Sequence, residues 1–367
     1  MGYGRKVWFG LLLGLLFIQP AAVWADDDDA AAASSASPSV VQNFWTRHVK
    51  ILGADAGLRW RYNDKLPKDA DMQYRLSTRT QFNFVPSGSS YLYVRAETGY
   101  RFGLSWNYSG VGRNSRDGVM YIKSFYFGQK FGRHAEFQVG GIEFDRGAGT
   151  EMTYADDDGW MTGYRMKFTG SGHGWMPNKV SVTAGYVGMF TQPSVFDRFH
   201  RMGTANYWQV LAQKRFAENL DASAEFFSLN SVRYARLGAN VTKIPTWFLD
   251  TVRLEWTQRM TQQDSSAWAA SVSKGVFRDR LRLGVFYSHV LNEMYQNNAD
   301  YTQMWQVGDF YGRGRRLGWT IQSKPFKNFT VIAMGSRKLD HTRYNGHYRG
   351  QVIVRYDFGW LVDKMMR

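Results

Sequence analysis

Apolar and polar residues alternate along residues 71–84, and this stretch shows the pattern most clearly. From Met72 onward one set of alternate positions is mainly apolar, and the other carries arginine, amide and hydroxyl side chains. The first set is Met72, Tyr74, Leu76, Thr78, Thr80, Phe82 and Phe84; the second is Gln73, Arg75, Ser77, Arg79, Gln81 and Asn83. An extended backbone sends alternate side chains to opposite faces, so the pattern predicts a two-faced β-strand. Such a strand suits either a soluble sandwich or a membrane barrel with a water-filled lumen.

Similar alternation recurs along the chain and predicts about 16 strands, with a range of roughly 14–18. The predicted segments are residues 57–63, 71–84, 91–106, 117–130, 135–144, 159–169, 179–190, 207–216, 220–229, 232–242, 251–261, 267–277, 281–290, 316–324, 329–339 and 348–358. The segment 91–106 places Leu92, Val94 and Trp106 together on its apolar face. No helical heptad, solenoid repeat or second domain is evident.

The connections between these segments alternate between short turns and long loops. Short turns are predicted at residues 86–90, 131–134, 217–219, 277–280 and 324–328, and long loops at 107–116, 145–158, 191–206 and 291–315. An up-and-down membrane barrel has this arrangement, with its short turns in the periplasm, whereas a soluble sandwich has no reason to keep it. The short connection near Ser231 is the exception. The sequence therefore predicts an all-β fold, a transmembrane antiparallel up-and-down β-barrel over residues 51–358.

Both ends of the chain differ from this pattern. Residues 1–25 combine Arg5 and Lys6, an apolar run and a small-residue cleavage pattern, which predicts a signal peptide. Residues 26–50 begin with four aspartates and many alanines and serines, which predicts a flexible acidic leader. Its last residues, 40–50, form a short segment for which an initial helix and a lumen plug both remain open. Residues 359–367 form a C-terminal tail after Phe358, an aromatic end typical of outer-membrane barrels.

Composition favours the membrane barrel over the soluble alternative. The mean hydropathy is −0.43, which on its own suggests a soluble protein. Transmembrane strands need only about 9–11 residues, half of them facing the lumen, so barrels often have low mean hydropathy. Aromatic residues make up 16% of the chain and there is no cysteine. We therefore expect a Gram-negative outer-membrane protein. Its expected partners are outer-membrane lipid, lipopolysaccharide and the barrel-assembly machinery; the oligomeric state is left open.

The polar faces of the predicted strands are rich in cations. The candidate lumen residues are Arg59, Arg61, Arg75, Arg79, Arg95, Arg101, Arg165, Lys167, Arg215, Arg253, Arg259 and Arg355, with Arg282 and Arg349 on the same parity. Fewer acids lie on these polar faces: Glu97, Glu136, Asp221, Glu225, Glu255 and Asp357. The full chain has a net charge of +15. A confined pore focuses such a field, which predicts a preference for anions. The alternative is that the arginines only pair with these acids across neighbouring strands.

Three stretches resemble bacterial porins of the alginate-export type. They are GLRWRYN at residues 57–63, YRLSTRTQF at 74–82, and the segment from SFYFGQKFG to TGYRMKF at 124–168. The resemblance implies a barrel, generally of 18 strands, whose arginine-lined lumen passes an acidic polysaccharide. The expected function is a porin that passes small anionic solutes or an acidic saccharide. A non-conducting structural or adhesive barrel remains the alternative.

Other chemistries have little support in the sequence. The seven histidines do not form a zinc motif, and no cofactor is predicted. Asp156, Asp157 and Asp158, in a predicted outer loop, are weak metal candidates beside the alternative of a solvated loop. No catalytic residues are predicted, because Ser288 and His289 face opposite sides of a strand. The alternation of the strands places the positive charges inside the predicted barrel, which argues against nucleic-acid binding. In the loop segment FDRFHR, an inward fold of Arg198, His200 and Arg201 is a further hypothesis for narrowing the pore.

Overall fold

Strands make up most of the structure, a computed structural model that describes residues 45–64, 69–99, 105–112, 115–150, 160–188, 193–261, 265–291, 314–340 and 348–366. The strands are β1 Val49–Asn63, β2 Asp69–Asn83, β3 Ser90–Thr98, β4 Asn107–Gly112, β5 Met120–Phe131, β6 Ala135–Glu143, β7 Trp160–Thr169, β8 Lys179–Tyr186, β9 Tyr207–Ala217, β10 Leu220–Leu229, β11 Val232–Val241, β12 Thr251–Arg259, β13 Ser265–Val276, β14 Leu281–Val290, β15 Gly314–Ser323, β16 Phe329–Lys338 and β17 Tyr348–Asp357. A 3₁₀ segment, Val195–Arg201, precedes β9, and helix α1, Gly359–Met366, follows β17.

All 17 strands belong to one antiparallel sheet that closes into a 16-strand barrel, as predicted. The count differs because β3 and β4 share one position beside β2. β3 pairs with Ser77–Asn83 of β2, and β4 pairs with an earlier part of the same strand, from Asp71 to Tyr74. β5 pairs with the edge of β3 that does not face β2. Pairing of β1 with β17 closes the ring.

The two faces of each strand have very different exposure. On β1, Leu58 and Trp60 are 48% and 47% exposed, whereas Arg59 between them is 9% exposed. The same separation of apolar and polar faces continues on β2, because Trp60 pairs with Met72 and Arg59 pairs with Gln73. Aromatic and aliphatic side chains therefore form the outer surface of the barrel, and polar side chains line much of its inside. A buried apolar group also faces inward on β9 to β14 and includes Tyr207, Phe227, Tyr234, Ala267 and Val290. This arrangement explains the low mean hydropathy without a soluble fold.

The connections divide the barrel into two rims. The short-turn rim contains the short connections between β2 and β3, β5 and β6, β9 and β10, β13 and β14, and β15 and β16, and also two longer connections, between β7 and β8 and between β11 and β12. The opposite rim, called the loop rim here, contains the long connections before β7, β9 and β15. Residues 107–112 of the predicted loop 107–116 form β4, so that prediction is wrong over these residues. The exception near Ser231 is a tight hairpin, in which Asn230 and Ser231 have φ values of 48° and 69°. Asparagine and serine at positive φ are compatible with a two-residue hairpin turn.

Both described ends of the chain lie at the short-turn rim. Residues 45–48 form a helical turn before β1, and the ring of His48 contacts the Asn83 carbonyl oxygen at 2.7 Å. This turn therefore lies against the end of β2. At the other end, the Phe358 amide donates to the Ala54 carbonyl oxygen at 2.8 Å and α1 contacts β1. None of the helices in the described ranges is long and apolar enough to cross a bilayer. The predicted signal peptide and residues 26–44 of the predicted leader lie outside those ranges, whereas Val49 and Lys50 belong to β1.

Candidate functional site

The strand register places every described member of the predicted cation set on the inward face. These members are Arg59, Arg61, Arg75, Arg79, Arg95, Arg165, Lys167, Arg215, Arg253, Arg259 and Arg355. Arg101 lies outside the described residues. Other cations on this face were not predicted from the sequence: Lys50, Lys130, Lys179, Arg236, Arg316 and Lys338. That these side chains bind a solute stays a prediction.

A chain of ion pairs crosses the inner wall from β1 to β6. Arg75 Nη2 lies 2.6 Å from Asp55 Oδ1, and Arg75 Nη1 lies 3.8 Å from Glu97 Oε1. Arg95 then joins Glu97 at 2.8 Å to Glu143 at 3.1 Å. Every one of these carboxylates has an arginine beside it. The alternative considered from the sequence, pairing of lumen arginines with acids across strands, therefore describes this part of the wall.

Trp106 lies inside the barrel, which corrects the prediction that it shares an outward face with Leu92 and Val94. β3 ends at Thr98, and the chain resumes pairing with β2 only at Asn107. Trp106 is 4% exposed, and the guanidinium carbons of Arg59 and Arg75 lie 4.5 Å and 5.4 Å from its ring centroid. Stacking on an indole stabilises both cations. The interrupted strand thus adds an aromatic side chain to the polar inner wall.

A second buried ion-pair group lies on β10, β11 and β12. Arg236 is 1% exposed, and its Nε donates to Glu225 Oε2 at 2.7 Å. Glu255 lies 4.0 Å away on its other side. Gln209 donates to the second oxygen of Glu225 at 2.6 Å. Both oxygens of the Glu225 carboxylate are therefore satisfied, as a buried charge requires.

The connection after β6 folds into the lumen over residues 144–150, called the inward loop here. The Lys179 ammonium lies 2.5 Å from the Asp145 carboxylate, and Gln209 donates to the Asp145 carbonyl oxygen at 2.7 Å. Further along, the Ser223 hydroxyl donates to the Ala148 carbonyl oxygen at 2.9 Å. Gly149 lies against β11 with a φ of 77°. The sequence predicted an outer loop here and gave no sign of its inward direction.

Neighbouring positive charges keep the Asp145 carboxylate of the inward loop ionised. Burial alone would raise the pKa of the Asp145 carboxyl. The positive charges of Arg165 and Lys179 outweigh that effect and hold this pKa below its ordinary value. Asp145 is therefore ionised at neutral pH, and its ion pair with Lys179 is present.

Exposure of the inward cations changes along the barrel axis. In the middle and towards the loop rim, the cations Arg59, Arg75, Arg95, Arg165, Arg236, Arg259, Arg316 and Lys338 are buried. Near the short-turn rim, Lys50, Arg79, Lys130 and Arg215 are exposed. Among the inward cations that the structure describes, the most exposed therefore lie near the short-turn rim.

The 3₁₀ segment Val195–Arg201 lies on the outside of the barrel, so the hypothesis that FDRFHR narrows the pore is wrong. The Thr162 hydroxyl donates to the Arg198 carbonyl oxygen at 3.2 Å, and Arg201 lies 5.3 Å from the Tyr186 ring centroid. Thr162 and Tyr186 are register partners on one outward row. That row faces outward because Tyr164, two residues along β7, is 44% exposed.

Residues able to hold a metal ion are not grouped in the part of the chain that the structure describes. The weak candidates Asp156, Asp157 and Asp158 lie outside that part, so they stay a prediction.

The barrel resembles solved bacterial porins. Salmonella typhi OmpF in complex with daunomycin has a TM-score of 0.56 and 10% identity, covering 85% of this chain and 98% of that chain. A mutant of Rh. blastica porin has a TM-score of 0.53 and 11% identity, covering 84% and 100%. Pseudomonas aeruginosa OpdQ has a TM-score of 0.51 and 13% identity, covering 83% and 98%. Neither a protein-family model nor a curated protein sequence matches the chain. At these identities the likeness concerns the fold, and the alginate-export type is not confirmed.

Proposed function

We propose that this chain forms a channel through the Gram-negative outer membrane and that its lumen prefers anions. The observation that carries the proposal is a closed barrel with an apolar outer surface and an inner wall of cations. The porin fold of its structural neighbours supports a channel and not an enzyme. In this proposal residues 1–25 direct export, the barrel-assembly machinery inserts the strands, and lipid and lipopolysaccharide surround the wall.

Small anionic solutes, or an acidic saccharide, are the proposed cargo. Arginine's planar fork suits carboxylate, sulfate and phosphate groups. Many arginines of the wall already have carboxylate neighbours, so the exposed cations near the short-turn rim are expected to determine most of the selectivity. Exposed charges interact with mobile ions through water, and high salt screens them.

The test is the reversal potential of single channels in a planar bilayer under a KCl gradient. We expect anion-selective conductance from the refolded mature protein. Arg79→Glu should lower the chloride-to-potassium permeability ratio by roughly two- to threefold, because an exposed charge contributes on the order of 0.5 kcal/mol. Arg233→Glu, an exposed outward-facing site on β11, is the matched control and should leave the ratio unchanged. Cation selectivity of the unmodified channel would refute the anion preference.

A second candidate is a barrel that does not conduct and serves a structural or adhesive role. The burial of inward side chains in the middle of the barrel favours it, since Glu97, Gln209 and Thr257 are all 0% exposed. Absence of single-channel steps from correctly folded protein, checked by its β-sheet circular dichroism, would select this candidate.

A further inference from the structure

Three exposed cations lie on one wall of the lumen near the short-turn rim. Lys50 on β1 pairs with Gln81 on β2, and Arg79 lies two residues before Gln81 on that strand. Lys130 is on β5, two barrel positions beyond β2, and its register partner is Glu136. Lys50, Arg79 and Lys130 have no carboxylate within salt-bridge distance among the residues that the structure describes. They differ in this respect from the paired arginines deeper in the barrel.

Two cations of the opposite wall at the same rim are already paired with carboxylates. Arg215 lies 3.1 Å from Asp221, and Arg282 lies 2.8 Å from Asp250 and 2.9 Å from Asp279. An anion that arrives at that wall must compete with these carboxylates. On the wall formed by β1, β2 and β5 the three cations have no described carboxylate within salt-bridge distance, although Glu136 is the register partner of Lys130.

The acids near these three cations are already engaged. Glu136 accepts hydrogen bonds from the Tyr91 hydroxyl at 2.7 Å and from Gln138 at 2.5 Å, and it is the register partner of Lys167. Asp357 on β17 accepts from the Gly359 amide at 2.9 Å. Lys167 adds a fourth positive charge to the same wall, so the local balance stays positive.

The spacing of the three cations indicates the kind of anion that they can bind together. Neighbouring strands lie about 4.8 Å apart and residues about 3.3 Å apart along a strand, so the group extends over roughly 15–20 Å of wall. A single chloride cannot contact all three of them at once. An anion with several charges can contact two or more, and its affinity then rises through effective concentration.

We propose that Lys50, Arg79 and Lys130 form a binding site for multivalent anions at the short-turn mouth of the lumen. The site makes the channel asymmetric, because multivalent anions meet these cations first from the short-turn side. From the loop side they first meet a wall whose described inward arginines are buried or half-buried. This inference rests on the proposed function for its role in transport, while binding itself does not require conduction.

The first experiment measures binding of inorganic tripolyphosphate to the detergent-solubilised full chain by titration calorimetry. Arg79→Gln combined with Lys130→Gln should weaken binding about tenfold, since two charge contacts are lost. The matched control is Arg233→Gln combined with Arg337→Gln, which removes the same charge from exposed outward positions near the loop rim. Equal affinity in the two double variants, or no binding to the unmodified chain, would overturn the site.

The second experiment measures block of single-channel current by tripolyphosphate added to one side. The chain has no cysteine, so Ser87→Cys in the turn before β3, labelled with a bulky impermeant reagent, reports which side the short-turn rim faces. We expect half-block at a concentration about tenfold lower from the short-turn side, with the difference lost in the Arg79→Gln and Lys130→Gln variant. Equal block from both sides would refute the asymmetry. Tripolyphosphate binding by a chain that does not conduct would refute the channel and retain the site.

Discussion

A barrel carrying Arg236→Met is expected to lose about 3–5 kcal/mol of folding free energy, the range for removing one partner of a buried ion pair. Methionine keeps the length and apolar stem of the side chain but removes the guanidinium. Glu225 would keep only the Gln209 amide, and Glu255 would lose its neighbouring cation. Two buried carboxylates would then face each other without a positive charge between them.

The measurement is urea unfolding of the refolded barrel in lipid vesicles, followed by circular dichroism. Arg215→Met is the control, because the Arg215 side chain is 64% exposed and makes a comparable pair with Asp221. An exposed pair of this kind contributes about 0–1 kcal/mol. Equal unfolding midpoints and slopes for the two variants would show that burial at Arg236 does not have the expected effect.

Gly149→Val is expected to detach the inward loop from the barrel wall without unfolding the barrel. A Cβ at this position would lie 2.5 Å from the Ala239 carbonyl oxygen, and the φ of 77° disfavours a β-branched residue. Left-handed backbone alone costs about 1–2 kcal/mol, so the detached population should rise roughly tenfold or more. In single-channel records this should produce frequent transitions between current levels.

The control for this variant is Gly203→Val, in the connection before β9. A Cβ there would meet nothing within 4 Å, and Gly203 does not have positive φ. Its current record should match the unmodified chain. A quiet, unchanged record from Gly149→Val would mean that contact with Ala239 does not fix the loop.

Strand number and facing were predictable because alternation along each strand is local information. The seven residues GLRWRYN show the apolar and the polar face of β1, and the pairing of β1 with β2 keeps apolar residues beside apolar ones and polar beside polar. The rim assignment was predictable for a similar reason, since connection lengths are visible in the sequence. Both follow from a barrel wall that has an apolar outer face and a largely polar inner face.

Features inside the lumen were not predictable, because they depend on contacts between distant segments. Trp106 continues the apolar parity of its neighbours, and no sequence signal marks the interruption after Thr98. Arg236 lies in a weakly alternating strand of small residues, so its burial against Glu225 follows only from the register. The direction of the inward loop depends on Lys179, Gln209 and Ser223, which come 29 or more residues after its last residue. The buried and exposed arginines look alike in the sequence.

The pairing of β1 with β17 also determines when assembly can be complete. Asp55 pairs with Asp357, so the contact that closes the ring joins two ends of the chain separated by almost its whole length. Until β17 is present, β1 and the last strand formed each leave a row of backbone amides and carbonyls without partners, which hydrocarbon cannot satisfy. Ring closure of such high contact order is intrinsically slow. A chain truncated before Tyr348 would therefore remain an open sheet, and the final ten-residue strand converts it into a structure without edges.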